Sequence, residues 1–162
     1  MASYVFADEW RVAADLELVW TVLRRLEEWP DWWPSVRSLT RLDSGTENGE
    51  GAVWRFVFQT RLPYNMSFDA EFVRVDPLVA VEARVKGRVQ GSGLWSLSDI
   101  AGGTLVRFDW LVTPQVGWMR AVAPLARGVF NWNHRALMSE GAEALAQRLR
   151  VRLLAPPLSA AG

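Results

Sequence analysis

The sequence predicts an α+β fold: a curved seven-stranded antiparallel sheet packed on one long C-terminal helix, with two short helices between the first and second strands. Three observations predict it. Between residues 36 and 113 apolar residues recur with period two, broken by turn signals and by no helical pattern, so consecutive strands form a meander. From about Trp118 the period returns to 3.6 and stays there to Leu149. The sheet has one apolar face to cover, and this helix is the only element large enough to cover it.

Each element has its own signal. Tyr4, Phe6, Asp8, Trp10 and Val12 alternate and share one face of a first strand. Asp15 is an N-cap candidate, and Leu16, Val19, Trp20, Leu23 and Leu26 follow at helical spacing until Pro30 limits the helix. Trp29 to Pro34, WPDWWP, reads as a compact aromatic segment or a short second helix. Six strands are expected at about 36–43, 52–61, 66–75, 78–86, 88–98 and 103–113. The glycines at 87, 91 and 93 lie between strand patterns, so they mark a turn and relief for sheet curvature rather than a phosphate loop. In the C-terminal helix Phe130, His134, Leu137, Met138, Gly141, Leu145 and Leu149 make one stripe. Pro124 marks a kink or a late start, and from Pro124 to Leu153 the helix would run about 45 Å. Pro156 and Pro157 end it, giving a single domain over 1–155 and a flexible tail over 156–162.

Composition excludes several chemistries. The chain has 162 residues with 18 basic and 18 acidic side chains, no cysteine, one histidine and ten tryptophans. Zero net charge argues against a partner bound through phosphate neutralisation, so no nucleic acid is expected. Without cysteine there are no disulfides, thiolate metal sites or cysteine nucleophiles, and one histidine excludes a histidine-cluster metal site. No metal or cofactor is expected. Charge is uneven: residues 1–33 hold seven acids and three arginines, while 120–152 hold six arginines and two glutamates. The two halves either pack against each other or leave a basic patch for an anionic partner. The first ten residues lack a basic region followed by an apolar run, and no stretch approaches a membrane span. A cytoplasmic protein without an integral membrane segment is expected, with a homodimer left open.

Several segments in this order carry a resemblance. Trp10 to Trp20 (WRVAADLELVW), Trp29 to Pro34, Gly91 to Trp95 (GSGLW) and Asn133 to Gly141 (NHRALMSEG) together resemble the START-like (SRPBCC) superfamily, in its polyketide cyclase/dehydrase and lipid-transport branch. The likeness runs through the whole chain to about Leu153. It implies a helix-grip fold with a deep, mostly apolar cavity between sheet and C-terminal helix, in a superfamily whose members bind lipids, sterols, polyketides or aromatic compounds. It carries no catalytic motif onto this sequence.

The expected ligand-binding residues are Trp10, Trp54, Phe56, Phe58, Phe68, Trp95, Phe108, Trp110, Asn131, His134 and Met138, which put a wide aromatic wall beside a few polar groups. Thr60, Tyr64, Ser38 and Thr40 are further hydroxyl candidates. His134 and Asp8 are the catalytic candidates. His134 lies on the apolar stripe and is either a pocket-facing general base or a packed helix histidine. Asp8 is the polar member of an aromatic strand face, where a carboxylate needs a partner. It serves either a ligand or an arginine of the helix. Trp29, Trp32 and Trp33 form a lid, a membrane-touching tip, or a staple between helix pair and sheet. The leading functional expectation is binding or transport of a small hydrophobic or aromatic ligand. A polyketide cyclase or aromatase using the same cavity is the second, and an interaction module with a filled core is the third.

Overall fold

The computed structural model describes residues 3–162, apart from the side chains at positions 123 and 124. The strand β1 (Tyr4–Val12) is followed by α1 (Leu16–Arg24), a 3₁₀ turn (Leu26–Glu28) and α2 (Trp29–Trp32). The meander is β2 (Val36–Asp43), β3 (Val53–Gln59), β4 (Asn65–Asp76), β5 (Ala80–Gly87), β6 (Val89–Ile100) and β7 (Gly103–Pro114). The long helix α3 spans Gly117–Leu149, and a last strand, β8, spans Leu158–Ala161. All pairings are antiparallel, in the order β2-β3-β4-β5-β6-β7-β1-β8.

The period-two pattern accounts for the sheet. In β1 every second residue from Tyr4 to Val12 is buried, and in β3 Trp54, Phe56 and Phe58 are buried while Arg55 and Gln59 stay wet. Gly91 exists for backbone proximity: a Cβ there would stand 1.8 Å from the Leu111 carbonyl oxygen on β7. Gly93 serves a side chain instead, since its missing Cβ leaves room for the Trp110 indole, whose Cζ3 would lie 2.6 Å away. Residue Asp15 does occupy the N-cap position of α1 in extended conformation, but its side chain makes no cap bond.

Two expectations need correction. The sheet has eight strands, not seven, because the stretch expected as a flexible tail contains β8, paired to β1 from Phe6–Ala161 to Glu9–Leu158. The physical reason is the free edge of β1, whose backbone donors and acceptors find partners in the returning chain. The second correction concerns α3, which begins at Gly117, where the helical period returns near Trp118, and not late at Pro124, and which ends at Leu149 rather than Leu153. Arg150 ends it in the left-handed conformation (φ 56°), and its N–H and that of Val151 bond back to the last turn. The kink expected at Pro124 lies outside the described residues. Of the three readings of the segment at 29–34, the packing fits one. Trp29, Trp32 and Trp33 are buried in the core, the Trp29 indole N–H donates to the Leu23 carbonyl at 3.0 Å, and the Glu140 carboxylate on α3 accepts from the Ser35 N–H and hydroxyl. This is the staple reading of the segment.

Candidate functional site

A cavity of about 190 Å³ lies between the concave face of the sheet and α3. Its wall is almost entirely apolar, built from Phe56, Phe58, Phe68, Trp95, Phe108 and Trp110 on the sheet and Leu137 and Met138 on α3. One end is closed by the buried cluster of Trp29 and Trp33, whose rings pack on Phe56 and Phe58 with centroids 6.0 and 5.6 Å apart. The other end is bordered by Thr60 and Tyr64 of the β3–β4 loop, Pro114 and Met119.

Polar groups on this wall are few. The Thr60 hydroxyl is used within its own loop, bonding to the backbone of Leu62 and Tyr64. Asn133 accepts the Arg61 N–H at 3.0 Å through Oδ1 and so ties α3 to the same loop. Tyr64 sits against Trp118 (centroids 5.2 Å apart), and burial raises its phenol above the ordinary 10.0. Its hydroxyl has no hydrogen-bond partner among the described residues.

Beside them is a built polar constellation. Asp8 is fully buried (0% exposed). Its Oδ2 lies 2.7 Å from His134 Nε2, and its Oδ1 accepts the Ser159 hydroxyl at 2.5 Å. With the carboxylate as acceptor, Nε2–H donates, and Nδ1 is then the acceptor atom of a neutral ring. The imidazole stacks on Phe6, with centroids 3.8 Å apart and planes 14° off parallel. Phe6 and His134 both line the cavity. The alternation of β1 puts Asp8 on the inner face, the helical stripe brings His134 above it, and β8 supplies Ser159 from the opposite register position to Asp8. Serine, carboxylate and imidazole are in the wrong order for a nucleophilic triad, because Ser159 bonds to Asp8 and not to the ring. Aspartate here does what an orienting group does, holding one tautomer and one ring orientation.

Of the expected binding residues, Phe56, Phe58, Phe68, Trp95, Phe108, Trp110, His134 and Met138 line the cavity, as do Trp29 and Trp33 from the aromatic segment. Trp10, Trp54, Asn131 and Trp32 do not. Trp10 is fully buried behind the wall against Trp33 and Phe108. Trp54 lies under the Arg41 guanidinium, 5.3 Å from its centroid. Asn131 keeps a buried Oδ1 without a partner, and the polar α3 residue on the wall is Asn133 instead. Thr60 and Tyr64 line it, whereas Ser38 and Thr40 do not. Of the ten tryptophans, Trp29, Trp33, Trp95 and Trp110 surround the cavity, Trp10, Trp20, Trp32 and Trp54 are core, and Trp118 and Trp132 are exposed. Sequence reasoning missed Tyr4, Phe6 and Phe130, though Tyr4 and Phe6 share the alternating face of Asp8 and Trp10. It also missed Ser159, for which a four-residue strand of small side chains offers no signal.

A sheet gripping one long helix around an apolar cavity defines a class of ligand-binding fold. Residues 5–150 match the family model described as polyketide cyclase / dehydrase and lipid transport, and the chain belongs to that family. No curated protein matches it. Among solved structures it is similar to the Zhui aromatase/cyclase from Streptomyces sp. R1128 (16% identity, 92% of this chain and 94% of that one, TM-score 0.68). It is also similar to a START superfamily protein from Mycobacterium smegmatis (14% identity, 91% and 97%, TM-score 0.66). A third likeness is to the di-domain aromatase/cyclase StfQ of the steffimycin biosynthetic pathway (16% identity, 91% of this chain, TM-score 0.66), of which the chain spans about half, 52%. At these identities the likeness is one of fold. Among the described residues no helix is long and apolar enough to cross a membrane.

Proposed function

We propose that the protein binds or carries a small aromatic or otherwise apolar ligand in this cavity. One observation supports the reading most: Trp95, Trp110 and Met138 do not close on one another, as a filled core would require, but border a void. An apolar void of this size forfeits dispersion contacts that a ligand restores. Volume narrows the class. Drug-sized ligand pockets run to about 300–1,000 Å³ and a dry cavity of about 150 Å³ admits a benzene ring, so 190 Å³ fits a one- or two-ring compound without rearrangement. A phenol or ketone on that compound finds Tyr64, Asn133 and His134 as polar residues of the wall. Thermal shift and native mass spectrometry with naphthols and short-chain lipids test this. A binder at a hundred times its Kd stabilises by about 2.7 kcal/mol, read as a Tm rise of about 5–11 °C. Absence of any shift and of any bound mass across both ligand sets overturns the reading.

The hydrogen bond between Asp8 and His134 favours a second reading, an enzyme of the cyclase or aromatase type. The carboxylate holds the ring while Nδ1 takes a proton from a bound polyketone, the cavity having folded the chain into reach. On this reading His134→Ala abolishes turnover of a linear polyketone analogue and leaves affinity for an aromatic product nearly unchanged. Equal turnover by the variant removes it.

A further inference from the structure

The first half of α3 has two contrasting faces. One carries Met119, Phe130, Asn133 and His134 to the cavity wall. The other carries Trp118, Val122, Leu125, Val129 and Trp132, which are 47, 37, 93, 48 and 51% exposed. These five follow one another at steps of four, three, four and three residues. At about 100° per residue they fall within an arc of about 80°, in a stripe about 21 Å long. A helix of a water-soluble domain ordinarily buries such a stripe, and a contiguous exposed one marks a docking surface. No described part of the chain covers it.

Charge says what covers it. Three segments meet at this end of the molecule: the β3–β4 loop with the start of β4 (60–68), the β5–β6 turn with its flanking strand ends (86–92), and the end of β7 with the first part of α3 (110–139). Arg61 is tied to Asn133, Trp118 to Tyr64, and Arg88 to Gln115. Segments 60–68, 86–92 and 110–139 hold no aspartate or glutamate. Arg61, Lys86, Arg88 and Arg135 are exposed there, while Arg120 and Arg127 lie on the opposite side of α3 from the stripe, Arg127 over the Tyr4 ring and bonded to the Ser3 and Gly162 carbonyls. Among the described residues, a chain of zero net charge thus flanks the exposed apolar face of α3 with Arg61, Lys86, Arg88 and Arg135 and with no acid from these segments. We propose that this face docks on an anionic lipid bilayer, with α3 lying in the plane of the interface and not spanning it. Tryptophan at both ends of the stripe suits the headgroup boundary, the aliphatic residues between them suit the acyl region, and the basic rim suits anionic headgroups. A second copy of the chain is the poorer partner. Two all-basic rims repel, and the seam runs for only two heptads with no acid at its edges to pair with arginine. The docked face would lie over the cavity end bordered by Tyr64 and Met119. The inference itself rests on the exposed stripe and the charge around it, whether or not the cavity holds a ligand.

Co-sedimentation with phosphatidylglycerol/phosphatidylcholine vesicles, against phosphatidylcholine alone, tests it. Binding is expected to the anionic vesicles only, weakened about tenfold or more by the double substitution Leu125→Glu and Val129→Glu and by raising salt from about 0.1 to about 0.5 M. Both positions are exposed, so the fold survives, as circular dichroism verifies; Trp118→Ser with Trp132→Ser is the charge-neutral counterpart and is expected to weaken binding as well. Three results overturn the proposal: no binding to anionic vesicles at low salt, binding unchanged in both double variants, or a dimer by light scattering that the glutamate variant splits into monomers.

Discussion

Gly141 poses a sharp contest between helix propensity and packing. It lies in the interior of α3, where replacing glycine by alanine ordinarily stabilises by about 1 kcal/mol. At this position the new Cβ would stand 2.5 and 2.6 Å from Cζ2 and Cε2 of Trp33 and 2.9 Å from Cη2 of Trp10. Ordinary carbon contacts lie at about 3.5–4.0 Å, so a ring must move by about 1 Å. Neither ring has anywhere to go. Trp10 is fully buried and Trp33 is 2% exposed, and the Trp33 indole is hemmed in by Trp10, Trp29, Trp32 and Phe58 with centroids 5.5–5.9 Å away. Overpacking of this kind costs about 1–3 kcal/mol or more. The clash therefore wins, and Gly141→Ala is expected to destabilise by about 1–2 kcal/mol, a Tm fall of about 2–8 °C. Gly128 on the same helix is the control. It is exposed with nothing within 4 Å of a built Cβ, so Gly128→Ala is expected to stabilise by about 0.5–1 kcal/mol. Urea denaturation of the two variants beside the parent reads both signs. A Gly141→Ala protein as stable as the parent, or more so, refutes the packing argument.

Three further outcomes follow from the site. His134→Ala leaves the buried Asp8 carboxylate with the Ser159 hydroxyl alone and is expected to cost about 2–4 kcal/mol. Combined with Asp8→Asn it should cost clearly less than the sum of the two, and an additive double-mutant cycle would show that the pair is not coupled. Gly93→Ala drives the Trp110 ring into the cavity and should weaken an aromatic ligand about tenfold, by calorimetric titration, with undiminished affinity counting against the site. Burial raises Tyr4 and Tyr64 above the ordinary 10.0, against a smaller lowering by Arg127 at Tyr4. Above about pH 10 the unfolded chain then holds fewer protons than the folded one, so stability falls as pH rises, and absorbance titration should show phenolate forming later in the folded protein than in urea.

Much of the sheet was legible because period two in this chain is nearly unbroken. Trp54, Phe56 and Phe58 against Arg55 and Gln59 admit only one assignment of faces, and each turn is announced by glycine, proline or aspartate. The wall of the cavity was legible for the same reason, since Trp95, Phe108 and Trp110 share the inward parity. Parity does not say how far along a strand the cavity reaches. Trp10 and Trp54 have the right face and the wrong depth, and Trp32 lies one residue from Trp33 and three from Trp29, both of which reach the wall. On α3 helical phase found the inner stripe, but Asn131 and Asn133 are both polar and near in sequence, and only the packed angle of the helix distinguishes them.

What the sequence by itself determined is the order of elements, the inward face of each strand, and the presence of an aromatic-lined interior. These depend on periodicity and residue type, which are local properties. What only the tertiary structure decided is long-range proximity. Asp8, His134 and Ser159 are separated by 126 residues or more from strand to helix and 151 from strand to strand, and no local pattern encodes their meeting. The same holds for β8, whose short run of small residues becomes a strand because the open edge of β1 supplies its hydrogen bonds. It holds for the apolar stripe of α3, whose composition matches that of a core helix until the fold leaves it facing outward.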